Sequence, residues 1–158
     1  MKPIEKDHPG VYIPPPGIYA VFFFAGLFAE RRIPLGDALF QQHWVRISGI
    51  IFFLLAAFFL FSSLRQFFLG RTTMVTIKPA SSLQTKGIYR ISRNPMYVGL
   101  SLIYLGLTCF SGNGWNLILF PLLILVMQVY VIRREENYLG RRFGNEYIDY
   151  KARVRRWL

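Results

Sequence analysis

Arg90 and Arg93 stand three residues apart in the stretch Lys86-Gly-Ile-Tyr-Arg-Ile-Ser-Arg-Asn-Pro-Met-Tyr-Val-Gly99, at the mouth of an apolar run. On one helical turn such residues project to the same side, so the two guanidinium groups could together hold a carboxylate or a phosphate. Pro95 fixes a helix start directly after Asn94 and leaves free backbone N–H groups aimed at the same place, which with two arginines makes an anion cradle. The opposite sign comes from Arg133-Arg-Glu-Glu136, where the next apolar run ends. A carboxylate pair at the C-terminal end of a spanning helix gains nothing from the helix dipole, so it needs cationic partners. Arg133, Arg134, Arg141 or Arg142 would serve for either glutamate alone. As a pair facing the basic Arg90/Arg93 mouth, Glu135 and Glu136 suit a ligand carrying both signs. Tyr89, Tyr97, Tyr147 and Tyr150 are singly an aromatic belt; around a cationic ligand their ring faces are worth about 0.5–2 kcal/mol each. The plainer account of Arg90 and Arg93 is snorkelling to a membrane surface.

These residues need helices to hold them. Four apolar runs are expected to span a bilayer, at residues 17–29, 44–64, 95–110 and 115–132; the second and fourth reach the roughly 20 residues that a spanning helix requires, and the other two are short. Pro14-Pro-Pro16 introduces the first, and Ser111-Gly-Asn-Gly114 is a tight turn that makes the third and fourth an antiparallel hairpin. Pro121 is the expected kink in the fourth. Gly99 and Gly106 permit close helix packing. Residues 71–84 carry a β-leaning Met74-Val-Thr-Ile77 and are expected to lie along the interface. After Glu136, apolar residues at Leu139, Phe143, Tyr147, Tyr150 or Val154, and Leu158 follow a helical period that Gly144-Asn145 interrupts as a helix end and an N-cap, giving two short amphipathic helices.

Composition agrees with a membrane chain. Of 158 residues 53% are hydrophobic and 15 are Phe, too apolar for an ordinary soluble domain of this length, so one polytopic membrane domain is expected, residues 1–85 carrying the first spans and 86–158 the site. The formal charge of +11 would suggest nucleic acid in a soluble protein; beside apolar runs it suits anionic membrane lipids instead. The basic stretches 65–93 and 133–156 belong in the cytoplasm by the positive-inside rule, which puts both termini there, and the small size suits a prokaryotic plasma membrane. The N-terminal run is an anchor rather than a cleaved signal, because small-residue cleavage signals are missing. Cys109 is the only cysteine, and His8 and His43 lie near different loops, so neither a disulfide within the chain nor a metal site is expected.

Three blocks in this order, Gly87-Ile-Tyr-Arg-Ile-Ser-Arg-Asn-Pro-Met-Tyr-Val-Gly99, Glu135-Glu-Asn-Tyr-Leu139 and Phe143-Gly-Asn-Glu-Tyr-Ile-Asp-Tyr150, resemble the C-terminal half of the isoprenylcysteine carboxyl methyltransferases and phospholipid methyltransferases. The resemblance implies an all-α intramembrane enzyme, without a Rossmann domain, that uses S-adenosylmethionine and leaves S-adenosylhomocysteine. It implies that Arg93, Asn94, Pro95, Tyr97 and Gly99 shape the cofactor pocket, with Tyr89 and Arg90 at its edge. Glu135 and Glu136 would bind the ribose hydroxyls or the methionyl ammonium, and Leu139, Phe143, Gly144, Tyr147 and Tyr150 would close the pocket. Arg93, Asn94 and Glu136 are the residues it implies for the chemistry, acting on a lipid-like acceptor that enters from the bilayer. The family commonly has His where this chain has Asn94, and an amide takes no proton at neutral pH. That departure favours a carboxylate or thiolate acceptor, which needs no base, over a lipid amine. Two other readings share some of these features: an NADPH-dependent sterol-type reductase with a similar Asn-Pro-x-Tyr element, and a non-catalytic lipid-binding protein.

Overall fold

A computed structural model describes residues 8–36, 38–70 and 82–158, and among them every regular element is helical. The expected interfacial segment at 74–77 lies outside the described residues. Helix α1 spans Pro15–Arg32, with Pro15 in its first turn where the missing N–H costs nothing. Helix α2 spans His43–Gly70. A short 3-10 turn, Gly87–Arg90, leads to α3, Pro95–Ser111, which Asn94 precedes and Pro95 opens. Gly112 ends α3 at φ 66°, a left-handed position that a side chain would disfavour. Asn113 then caps α4, Gly114–Val126, by accepting a hydrogen bond from the Asn116 amide.

Two helical stretches are long and apolar enough to cross a membrane, His43–Gln66 and Gly114–Phe143; α3 is apolar but shorter. The expected first span forms α1 but does not meet that standard, because Glu30, Arg31 and Arg32 lie in its last turns. The fourth run does not stop at residue 132. It continues through a wider i→i+5 turn, Met127–Ile132, into α5, Arg133–Phe143, with the Arg133 amide bonded to the Gln128 carbonyl. This departure from regularity lies beyond Pro121, which α4 passes without a break. An extra residue in one turn rotates everything after it by about 100°. Met127, Val131 and Ile132 are buried ahead of a buried Glu136.

The third and fourth runs are joined by a turn as expected, but each lies mainly along another helix: α3 along α2, and α4 along α1. Small residues set the antiparallel α2/α3 seam. A Cβ on Gly49 would meet Phe110 at 2.8 Å, one on Gly106 would meet Phe53 at 3.0 Å, and one on Gly99 would meet Leu60 at 2.7 Å. Gly99→Val is therefore expected to destabilise the protein by about 1–3 kcal/mol through overpacking, measured as unfolding in detergent. Between α1 and α4, Gly26 makes room for Asn116, while Tyr19 donates or accepts at Ser101 Oγ (2.8 Å) and joins α1 to α3. Tyr104 stacks on Phe120 and donates to the Asn116 carbonyl at 3.1 Å, tying α3 to α4 near their turn.

Gly144, at φ 52°, separates α5 from α6, Asn145–Arg153, in the expected place. Asn145 is the first residue of α6 rather than its cap, because the Gly144 carbonyl already accepts from the Tyr147 and Ile148 amides. Beyond α6 the chain is extended at Val154.

Candidate functional site

The two charged edges meet at one end of the bundle. Arg93 Nη1 lies 3.2 Å from Glu136 Oε1, and both side chains are only 9% exposed. The second partner of Glu136 is Arg156, which was not among the residues singled out from sequence. Its Nε donates to Oε1 at 2.9 Å and its Nη2 to Oε2 at 2.7 Å, a two-pronged grip on one carboxylate. The hydrogen bond to Glu136 raises the pKa of Arg156, so its charge is secured. No periodicity signals Arg156, because it lies past the end of α6 in a segment with no regular structure.

Glu135 and Glu136 are adjacent on α5, roughly 100° apart around the helix, and they serve different neighbours. Glu135 Oε1 accepts from Tyr97 Oη at 2.6 Å, which locks α5 to α3. Arg93 Nη1 also reaches Tyr147 Oη at 3.4 Å, while Arg93 Nε is buried with no hydrogen-bond partner. Burial raises the pKa of Tyr147, and the Glu136 charge pushes the same way against Arg93, so the phenol stays protonated. Tyr150 donates to the Tyr89 carbonyl at 2.7 Å, and burial raises the pKa of both phenols. Ile88, Tyr89, Tyr147 and Tyr150 form a small apolar cluster against which Leu139 and Phe143 pack.

The other expected site residues fall as follows. Arg90 is exposed, since the 3-10 turn ends there and Arg93 lies beyond it; the structure does not bring the two arginines together on one face. Pro95 is buried at the start of α3, and Gly99 faces Leu60 of α2. Two of the backbone N–H groups expected to be free at the start of α3 are occupied: the Asn94 amide donates to Ser92 Oγ at 3.1 Å and the Tyr97 amide to the Asn94 carbonyl at 3.0 Å, while the Arg93 amide just before them donates to the Arg155 carbonyl at 3.0 Å. Asn94 caps nothing with its side chain; its Nδ2 donates to the Arg156 carbonyl at 2.9 Å. Among the described residues no group of three His, Cys, Asp or Glu side chains could hold a metal.

At the same end, the Gly10 carbonyl accepts from Arg134 Nη1 at 2.9 Å, and Arg134 lies 4.4 Å from the Tyr130 ring centroid. The N-terminal arm, α5 and the C-terminal segment thus share one end of the bundle. Asn113, Trp115 and the end of α1 share the other, where Trp115 Nε1 donates to the Ile33 carbonyl at 2.8 Å.

A membrane protein whose described elements are all helical, with a buried cluster of opposite charges at one end of its helices, is the class that fold and site define. The phospholipid methyltransferase family model matches residues 44–146, and the chain belongs to that family of isoprenylcysteine and phospholipid methyltransferases. It is 46% identical over 63 residues to an uncharacterized protein of Haemophilus influenzae, a match that covers 40% of this chain and all of the relative. Over 72 residues, 46% of the chain, it is 38% identical to protein-S-isoprenylcysteine O-methyltransferase of Schizosaccharomyces pombe and 33% identical to protein-S-isoprenylcysteine O-methyltransferase B of Arabidopsis thaliana. Those matches span only 30% and 36% of the two enzymes. No solved structure matches the chain.

Proposed function

We propose that this protein transfers a methyl group from S-adenosylmethionine to a lipid-like acceptor at the membrane edge, with a carboxylate of the isoprenylcysteine type favoured over a lipid amine. The observation that carries the reading is the buried Arg93–Glu136–Arg156 cluster, which has one net positive charge and a buried donor, Arg93 Nε, with no partner. Such a donor costs free energy unless a ligand satisfies it. A zwitterionic amino-acid group fits these residues. Arg93 suits its carboxylate, and Glu135, held by one oxygen on Tyr97, suits hydroxyl or ammonium donors.

When bound, the cofactor supplies an electrophilic methyl on a sulfonium. The tyrosine cluster around Tyr89, Tyr147 and Tyr150 keeps water away and offers ring faces to a cation. Methyl transfer of this kind depends on alignment and desolvation, and well-oriented pairs gain effective molarities of about 10⁵–10⁸ M. Asn94 has no basic atom and its amide is engaged by the Arg156 carbonyl, which supports an acceptor that needs no deprotonation. The family match weighs against the sterol-type reductase reading.

Titration calorimetry of the detergent-solubilised protein with S-adenosylhomocysteine tests the cofactor: heat of binding is expected, and its absence would falsify the reading. Radiolabelled methyl transfer then separates the acceptors, with an S-prenylcysteine expected to be labelled and phosphatidylethanolamine not. Labelling of the amine lipid alone would reverse the acceptor preference. The site end is proposed to face the cytoplasm, since the basic residues gather there. A cysteine placed at Lys86 should then react with membrane-impermeant thiol reagents only from the cytoplasmic side.

A further inference from the structure

Beyond α6 the chain is extended at Val154, and residues 155 and 156 run back across the turn that precedes α3. Three donors of that turn hold them. The Arg93 amide binds the Arg155 carbonyl at 3.0 Å, Asn94 Nδ2 binds the Arg156 carbonyl at 2.9 Å, and Ser92 Oγ reaches the same carbonyl at 3.4 Å. The strap is thus fastened by its backbone, and its Arg156 side chain is delivered onto Glu136 through two hydrogen bonds of 2.9 and 2.7 Å. A surface tail has no need of such an anchor, and the residue it delivers engages both oxygens of a carboxylate that is nine-tenths buried.

We propose that Arg156 is a positioning residue for the methyl transfer, fixing the Glu136 carboxylate through both oxygens, and that Asn94 acts by holding the strap that carries it. The proposal rests on the cofactor reading above. With both oxygens engaged by Arg156 and one shared with Arg93, the Glu136 carboxylate is fixed in rotation and Arg93 is held beside it with its Nε free. A guanidinium is suited to this task because it is planar, forked and permanently charged; a lysine ammonium grips one oxygen as a point charge. The role also gives the amide at position 94 a function that requires a donor and no base.

The test uses the whole protein in detergent. In the ligand-free state, Arg156→Ala and Asn94→Leu should each speed hydrogen exchange at the Arg93 amide by at least tenfold, and the double variant should exchange no faster than the faster single one. In calorimetry, Arg156→Ala should weaken S-adenosylhomocysteine binding at least tenfold, Arg156→Lys should recover little of it, and millimolar guanidinium added to Arg156→Ala should restore part. Unfolding of Arg156→Lys is followed in parallel to show that the fold persists. Wild-type protein that binds S-adenosylhomocysteine while Arg156→Ala binds it equally well, or unchanged exchange at Arg93, would overturn the positioning role and leave the cofactor reading intact. Wild-type protein that binds none would overturn the cofactor reading, and the positioning role with it.

Discussion

Glu136→Gln is expected to lower the stability of the protein by about 3 kcal/mol, the low end of what removing one partner of a buried ion pair costs. The substitution is nearly isosteric, so packing is preserved and the loss is electrostatic. Two guanidinium groups are left facing each other across a neutral amide, and one of them, Arg93, is 9% exposed and cannot turn to water. Arg156 is 27% exposed and can be partly hydrated, which keeps the cost at that low end. Arg156→Ala should cost much less, about 1 kcal/mol or below, because Arg156 is the more exposed partner and Glu136 keeps Arg93. Chemical unfolding in a fixed detergent, followed by tryptophan fluorescence, measures both. A Glu136→Gln protein as stable as Arg156→Ala would mean that Arg93 is paired elsewhere.

That ordering could not be read from the sequence, although its main residues could. The three blocks around Arg93, Glu136 and Tyr147 are visible as residue types at helix edges, and the structure brings all three to one end of the bundle. Helix limits were legible where local backbone chemistry dictates them: Pro15 and Pro95 open helices, and Gly112 and Gly144 close them at positive φ. What stayed hidden depends on tertiary contacts. Arg90 and Arg93 share a helical spacing, but the turn between them is too short to be a helix, so one is exposed and the other buried. The wide turn at Met127–Ile132 has no marker residue, whereas Pro121, which does mark a possible irregularity, leaves the helix unbroken. The pairing of α3 with α2 follows from glycines facing Phe53, Leu60 and Phe110, and those partners lie 39 to 61 positions away in sequence, counting from Phe110 to Gly49 at the far end. Arg156 lies in a segment without regular structure, where periodicity says nothing.

Arg93→Ala should behave in the opposite way to Glu136→Gln: a modest change in stability and a large loss of ligand affinity. Glu136 retains both hydrogen bonds from Arg156, so no buried charge is orphaned when Arg93 is truncated. What disappears is the buried Nε donor without a partner and the Nη1 contact with Tyr147, the features on which the proposed binding of an anionic group rests. A hydrogen bond to a charged group contributes about 1.5–3 kcal/mol, so affinity for S-adenosylhomocysteine should fall about 10- to 150-fold. Arg93→Lys should restore only part of this, because an ammonium cannot serve Glu136, Tyr147 and a bound carboxylate from one plane. The two substitutions together separate the roles within one cluster. If calorimetry shows Arg93→Ala binding as tightly as wild type while Glu136→Gln remains folded and binds nothing, then the carboxylate rather than the guanidinium is the group that holds the ligand, and the proposed orientation of the zwitterion must be reversed.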